Sequence, residues 1–347
     1  MRVKLEDVCE RGSSSLKQSD IEEKSGDYAV YGASGRIGNA DFYHQELPYI
    51  AVVKDGAGIG RTMLLPAKSS VIGTMQYLLP KENVLPKYLY YVVRHMHLEK
   101  YFSGATIPHI YFRDYKTEEF NLESVENQAE IVAVLSKVEA IILARQQQLQ
   151  KLDELVKARF VELFGDLESN PFDWPVCALK ELVSIEPQNG LYKPQSAYVQ
   201  DGSGFPIVRI DAFYNGRVTD FSALKRLECS ESEVQRYLLQ EDDIVINRVN
   251  SIEYLGKCAH IKGLLEETVF ESNMMRLHLD DTVMNAVFAT KLLCSQYMHK
   301  QIMIRAKKAV NQASINQQDV LSFRMFVPPL ELQEQFAAFV EQTDKSK

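Results

Sequence analysis

Two stretches of this chain, 205 residues apart, run in step without a gap. His-Ile-Tyr-Phe-Arg-Asp at 109–114 leads into Glu-Ser-Val-Glu-Asn-Gln at 123–128, and Ser-Ile-Asn-Gln-Gln-Asp at 314–319 leads into Pro-Pro-Leu-Glu-Leu-Gln at 328–333. Ile110, Asp114, Glu126 and Gln128 recur as Ile315, Asp319, Glu331 and Gln333. After each block the apolar residues take up a helical spacing, from Ile131 in the first copy and Phe336 in the second. Self-similarity at a fixed offset marks a duplicated structural unit, and here each copy runs into a helix.

The duplication extends backwards at a changing offset. Leu5–Val8 faces Leu179–Leu182, 52–54 faces 246–248, 59–61 faces 255–257, and 74–78 faces 273–277. The offset changes between these blocks, so the second copy carries insertions. The copies are expected to share a fold and a junction and to differ where they meet a ligand. Residues 28–38 read as strand, tight turn and strand, and 49–53 as a buried strand ending at the turn residues Asp55 and Gly56. A helix is expected from Pro86 to Phe102 and another from about Val283 to Arg305, with strands at 206–210 and 243–246 in the second copy. The class expected is α+β: two similar domains, 1–122 and 167–327, joined by a long helix over 123–166, with a second helix starting at 328.

That joining helix has its own signature. Ile131, Leu135, Val138, Ile142, Leu149, Leu152, Val156 and Leu163 follow steps of four and three, the seam of a coiled coil, with Arg145 and Arg159 at two seam positions. Gly165 stops the helix. Some forty residues at about 1.5 Å each give a rod of roughly 60 Å. Such a rod needs a partner, and an antiparallel pair with the helix that follows the second repeat is expected. That second helix has only some fifteen residues before Lys347 and is read as truncated, or as completed by another subunit.

Net charge is −8, which alone argues against nucleic acid, but the distribution matters more than the sum. Residues 116–168 hold eleven acids against six bases and so supply −5 of the −8. Residues 283–318 hold no Asp or Glu but five Lys or Arg. Each unit therefore has a basic flank before an acidic helix. Lys54 and Arg61 recur as Arg248 and Lys257 on turns between strands. Arg94, Lys100, Tyr111 and Arg113 add to the first copy. Arg209, Asn247, Lys300, Arg305, Lys307, Lys308, Asn311 and Gln312 add to the second. Lys and Arg neutralise phosphates, while Asn, Gln and Arg read base edges, so these residues form the candidate DNA surface. An ordinary solvated face is the competing reading of any one of them.

Other motifs carry less. The glycines of 56–61 match neither a dinucleotide fingerprint nor a phosphate loop and are read as a hairpin. Asn170-Pro171-Phe172 is similar to the catalytic segment of adenine methyltransferases but lacks its second proline, and is read as a linker turn. His95 and His97 stand two apart on a predicted helix and face different ways, so no metal site is expected, and no cofactor. Five scattered cysteines read as free thiols of a cytoplasmic protein, and neither a membrane span nor a secretion signal is expected.

The duplicated layout, the 327–333 junction with its counterpart at 122–128, the 157–166 end of the long helix and the 28–38 segment together resemble the specificity subunit of type I restriction-modification systems. The resemblance spans essentially the whole chain. It implies two target recognition domains, each reading one half of a split site in double-stranded DNA. It also implies helices that set the gap and dock two methyltransferase subunits, and restriction subunits through them. The chain itself would carry no catalytic residue. Two other readings remain open: a stand-alone adenine methyltransferase, which would bind S-adenosylmethionine, and a coiled-coil scaffold without affinity for DNA. In the first junction Glu123 and Ser124 stand where Pro328 and Pro329 do.

Overall fold

Tyr49–Val53 shows no alternation of polar and apolar residues, the pattern of a strand covered on both faces. It is buried at every position. Ile50 and Val52 face one core with Leu5, Val8 and Leu89, while Tyr49, Ala51 and Val53 face another with Met75 and Tyr77. A computed structural model describes residues 1–21, 25–104 and 108–347. They divide into two compact units, Met1–Gln146 and Gln147–Lys347.

In the first unit Tyr49–Val53 lies inside a four-stranded antiparallel sheet ordered Cys9–Ser13, Met75–Pro80, Tyr49–Val53, Thr62–Leu65. The hairpin expected at 28–38 is formed by Tyr28–Gly32 and Gly35–Ala40, with Ser70–Val71 added in parallel. The helix that Pro86 starts ends at His95 rather than reaching Phe102. His97 takes a left-handed backbone, φ 51°, and a separate 3-10 turn follows at Leu98–Tyr101. A short pair, Arg2–Lys4 with Glu119–Asn121, closes the unit just before the long helix Val125–Phe164 begins.

The second unit repeats the sheet as Val183–Asn189, Met274–Leu279, Ile244–Asn247, Cys258–His260, and extends it with Gly216–Val218 and Phe213–Tyr214. A further four-stranded sheet lies at Tyr198–Val199, Arg226–Leu227, Phe205–Val208 and Val269–Phe270, and its parallel pair Phe205–Val208 with Val269–Phe270 matches Tyr28–Gly32 with Ser70–Val71 in the first unit. The helix expected over 283–305 is two helices, Ala286–Leu293 and Gln296–Arg305. The break falls at Ser295, whose side chain accepts the backbone N–H of Met298 and so caps the second helix. Apolar periodicity runs through the break because both helices bury their apolar residues in one core.

Backbone hydrogen bonds show how closely the copies correspond. Val53 N–H donates to Arg61 and Asn247 N–H to Lys257; Lys54 N–H donates to Thr74 and Arg248 N–H to Asn273. Ile110 N–H donates to Lys54 and Ile315 N–H to Arg248, at 2.9 and 3.0 Å. Leu5 N–H reaches Glu118 where Leu179 N–H reaches Phe323.

Each hairpin turns through a glycine with positive φ, 80° at Gly60 and 76° at Gly256. A Cβ at Gly60 would stand 2.5 Å from the backbone nitrogen of Glu99. Gly60→Ala is therefore expected to destabilise the first unit by about 1–3 kcal/mol, from the left-handed backbone and the clash together. Thermal unfolding checks this, and a melting temperature within about 1 °C of the parent would contradict it.

Candidate nucleic-acid interface

In the second unit the candidate residues converge because one strand feeds several of them. Ile244–Asn247 runs into Arg248 and then into Val249–Asn250, which pairs with Ala313–Ser314, and that strand pairs in turn with Lys307–Lys308. The tip, 309–312, is closed by Ala309 N–H donating to Gln312 at 2.7 Å. Lys307, Lys308, Asn311 and Gln312 are exposed, and Val310 between them is 99% exposed. The 307–314 hairpin is the outer part of this three-stranded sheet, and a β-ribbon can enter a major groove, with ammonium groups for phosphates and amides that both donate and accept along base edges.

Beneath the ribbon the polar groups are held more tightly. Arg248 donates from Nη1 to Ser272 at 3.1 Å. Asn247 is fully buried and donates weakly to Tyr254 at 3.5 Å. Among the described residues, Asn247 Oδ1 and Arg248 Nε meet no hydrogen-bond partner. Lys257 donates to the carbonyl of Ile210 at 3.2 Å, with its ammonium 3.9 Å from the Tyr214 ring centre and 4.8 Å from that of Phe213. Burial among these rings lowers the Lys257 pKa from the ordinary lysine value. Tyr214 and Tyr254 remain half exposed around it. Arg209 lies against the Tyr198 ring at 5.2 Å, with Asp211 and Glu271 each 3.8 Å away.

Lys300 and Arg305 sit apart from the ribbon tip, on Gln296–Arg305. Lys300 pairs with Glu168 at 2.7 Å. Arg305 donates to Ser322 Oγ at 2.8 Å and to the carbonyl of Gln301 at 3.0 Å, and so fastens the last helical turn.

The first unit gathers fewer of its candidates. Lys54, Arg61, Tyr111 and Arg113 are brought together by the equivalent hydrogen bonds, from Val53 N–H to Arg61 and from Ile110 N–H to Lys54. Lys54 has Asp55 at 3.8 Å, Arg61 donates to the carbonyl of Ala33 at 3.0 Å, and the Arg113 guanidinium lies 4.5 Å from the Tyr111 ring centre. Asp55 also pairs with His109. Arg94 instead faces the long helix, 2.9 Å from Glu139. Lys100 pairs with Glu118, and hydrogen bonds from Lys100 and Tyr101 hold that carboxyl below its usual pKa.

Along the long helix the seam is covered only in part. Val156 is buried and Leu149, Leu152 and Leu163 are half-buried in the second unit. There Phe336 packs on Phe160 and Phe164, with ring centres 5.4 and 5.6 Å apart, and Lys347 reaches Asp153 at 2.6 Å. Residue numbers rise on the Leu330–Lys345 helix as they fall on its partner, so the pair is antiparallel. Ile131, Leu135, Val138 and Ile142 are exposed, as are Val134, Ile141 and Leu143.

The junction holds a feature whose role the repeat did not reveal. Gln128 and Gln333 are both fully buried. Gln128 accepts from Leu85 N–H at 2.8 Å and donates to the carbonyls of Asn83 and Glu123. Gln333 accepts from Asn285 N–H at 2.9 Å and donates to Val283 and Pro328. Each glutamine thus satisfies the orphan donor at the start of its unit's Pro86–His95 or Ala286–Leu293 helix and ties that helix to the junction. Their identity across the repeat was the available signal.

Comparison with known proteins agrees with this geometry. The sequence model described as the type I restriction modification DNA specificity domain matches residues 1–154 and again 171–347. A putative type I restriction enzyme MjaX specificity subunit of Methanocaldococcus jannaschii is 31% identical over 176 residues, 50% of this chain and 40% of that protein. The EcoKI specificity subunit of Escherichia coli K12 is 29% identical over 164 residues, 47% of this chain and 34% of that one. These two matches therefore span well under two thirds of the relatives' own lengths. The MjaVIII specificity subunit of M. jannaschii is 23% identical over 313 residues, 85% of this chain and 72% of its own. The S subunit of a type I restriction-modification system from M. genitalium shares the fold, with a TM-score of 0.65 at 16% identity over 100% of this chain and 89% of that one. This chain belongs to the family of type I restriction modification DNA specificity domains and carries the domain twice.

Proposed function

We propose that this chain is the DNA-recognition subunit of a type I restriction-modification complex. Residues 1–122 and 167–327 each read one half of a split site in double-stranded DNA, and the helical segments 123–166 and 328–347 join them and receive partner subunits. The chain supplies no catalytic group of its own. The observation that carries this reading is the repeated hairpin, which sets Lys54 and Arg61 in one unit and Arg248 and Lys257 in the other on the same hydrogen-bond frame. Of the candidates, the ribbon of Lys307, Lys308, Asn311 and Gln312 is the most open to a groove.

Charge reversal of Lys307 and Lys308 tests the DNA contact. If both lysines neutralise phosphates, the slope of log affinity against log salt falls by about 1.8, at roughly 0.9 per contact. An unchanged slope removes them from the interface.

The exposed apolar face of the long helix suits two methyltransferase subunits, through which restriction subunits join. Val138→Asp with Ile142→Asp should leave the chain's own unfolding within about 0.5 kcal/mol of the parent, since both residues are exposed. The same pair of changes should abolish co-purification with a methyltransferase subunit. Retained co-purification would place the docking surface elsewhere.

A further inference from the structure

Two free thiols meet in the second unit. Cys258 opens the strand Cys258–His260 and is buried, while Cys294 follows the Ala286–Leu293 helix and is exposed. Their sulfurs are 3.4 Å apart. Cys294 lines a cleft of about 970 Å³ together with Lys291, Ser295 and Asn215, and we take this cleft as the route by which a small oxidant approaches.

A disulfide requires an S–S distance of about 2.05 Å, so the sulfurs must close by roughly 1.4 Å. Cys258 cannot supply much of that movement, because its strand is paired on both sides, with Ile244–Asn247 and Gly216–Val218. Cys294 can, because it sits at the break between two helices. The two thiols also differ chemically. The hydrogen bond from Cys258, aided by the Lys291 ammonium, lowers the Cys294 pKa, and the same hydrogen bond together with burial raises that of Cys258. Burial pushes Cys9 up to about 12 and raises Cys177 and Cys229. Cys294 is therefore the thiol most ready to act as a nucleophile, and it has a second thiol within reach.

We propose that Cys258 and Cys294 form a redox modification site, in which a hydroperoxide oxidises Cys294 and Cys258 then closes a reversible intramolecular disulfide. The Cys294 thiolate attacks the terminal oxygen of the hydroperoxide. The O–O bond breaks, and the departing alkoxide takes a proton to become an alcohol, or water when the oxidant is hydrogen peroxide. Cys294 is left as a sulfenic acid. The Cys258 sulfur, giving up its proton, then attacks the Cys294 sulfur; the S–O bond breaks and the oxygen leaves as water. Two thiols lose two electrons in total and the hydroperoxide gains them. A dithiol reductant reverses the bond. The proposal does not depend on the DNA-binding reading, and its test needs no DNA.

The full chain is treated with hydrogen peroxide and digested with trypsin. The digest places Cys258 in peptide 258–262 and Cys294 in peptide 292–300. Mass spectrometry should find these two peptides linked, and dithiothreitol should release them. In Cys258→Ser, Cys294 should accumulate as a sulfenic acid that dimedone captures. In Cys294→Ser, oxidation of Cys258 should slow at least about tenfold, as expected of a buried thiol with a raised pKa. Further oxidation of Cys294 with Cys258 still free in the parent chain would overturn the proposal. So would Cys258 oxidising at the parent rate in Cys294→Ser.

Discussion

Exchanging residues 1–122 for the matching segment of a relative with a different target is expected to change one half of the recognised DNA sequence and to leave the other half intact. The expectation follows from the way each unit is closed. In the first, Arg2–Lys4 pairs with Glu119–Asn121, and Leu122 N–H donates to Met1, so the segment is fastened at its own two ends. The second repeats the arrangement with Val176–Ala178 and Arg324–Phe326. Core residues such as Ile50, Leu78, Leu89 and Ile110 lie wholly within the exchanged segment. Beyond it, Gln128 must find its partners again at positions equivalent to 83 and 85, and Glu139 its partners at 91 and 94. A specificity change confined to one half-site is the modular outcome, read by mapping methylated bases. A change in both halves would show that the units read DNA jointly.

Phe336→Ala is expected to cost about 3–5 kcal/mol, the range for removing a fully buried phenylalanine. Phe336 is completely buried against Phe160 and Phe164, and Phe164 in turn packs 4.5 Å from Phe288, ring centre to ring centre. Phe336 thus ties the Leu330–Lys345 helix to the end of the long helix, where Phe164 carries the packing on to the Ala286–Leu293 helix. A domain's total stability is only about 5–15 kcal/mol, so this single loss takes a large share of it. The melting temperature of the second unit should fall by roughly 6–20 °C. Phe336→Leu, which keeps most of the volume, should cost less than half as much. A fall of under about 2 °C for the alanine variant would show that the helix pair contributes little to the unit.

The repeat was legible because a junction leaves few choices. Gln128 and Gln333 must each satisfy a buried backbone donor, so the residue type survives divergence where the surrounding chain does not. Gly60 and Gly256 were legible for a related reason, since a left-handed turn tolerates little else. The break at Ser295 was missed because apolar periodicity reports which side is buried and not whether the backbone continues. The spacing of the seam reads as that of a coiled coil, but coverage depends on what lies opposite, and Ile131, Leu135, Val138 and Ile142 are exposed while Val156 is buried.

Among the basic candidates, sequence could not separate free side chains from those already engaged. Arg94, Lys100 and Lys300 meet Glu139, Glu118 and Glu168, acids distant in sequence that only the fold brings near. Lys257 is hemmed in by Phe213 and Tyr214 from an adjacent hairpin in the same way. Lys307, Lys308, Asn311 and Gln312 are different, because a short hairpin keeps its tip in solvent whatever the rest of the unit does.

The most direct test of the central claim is to co-express this chain with a methyltransferase subunit and map every methylated base in the host genome. One split motif is expected, two short half-sites separated by an unread gap of fixed length. A continuous motif, or a complex that forms and methylates no defined sequence, would contradict it.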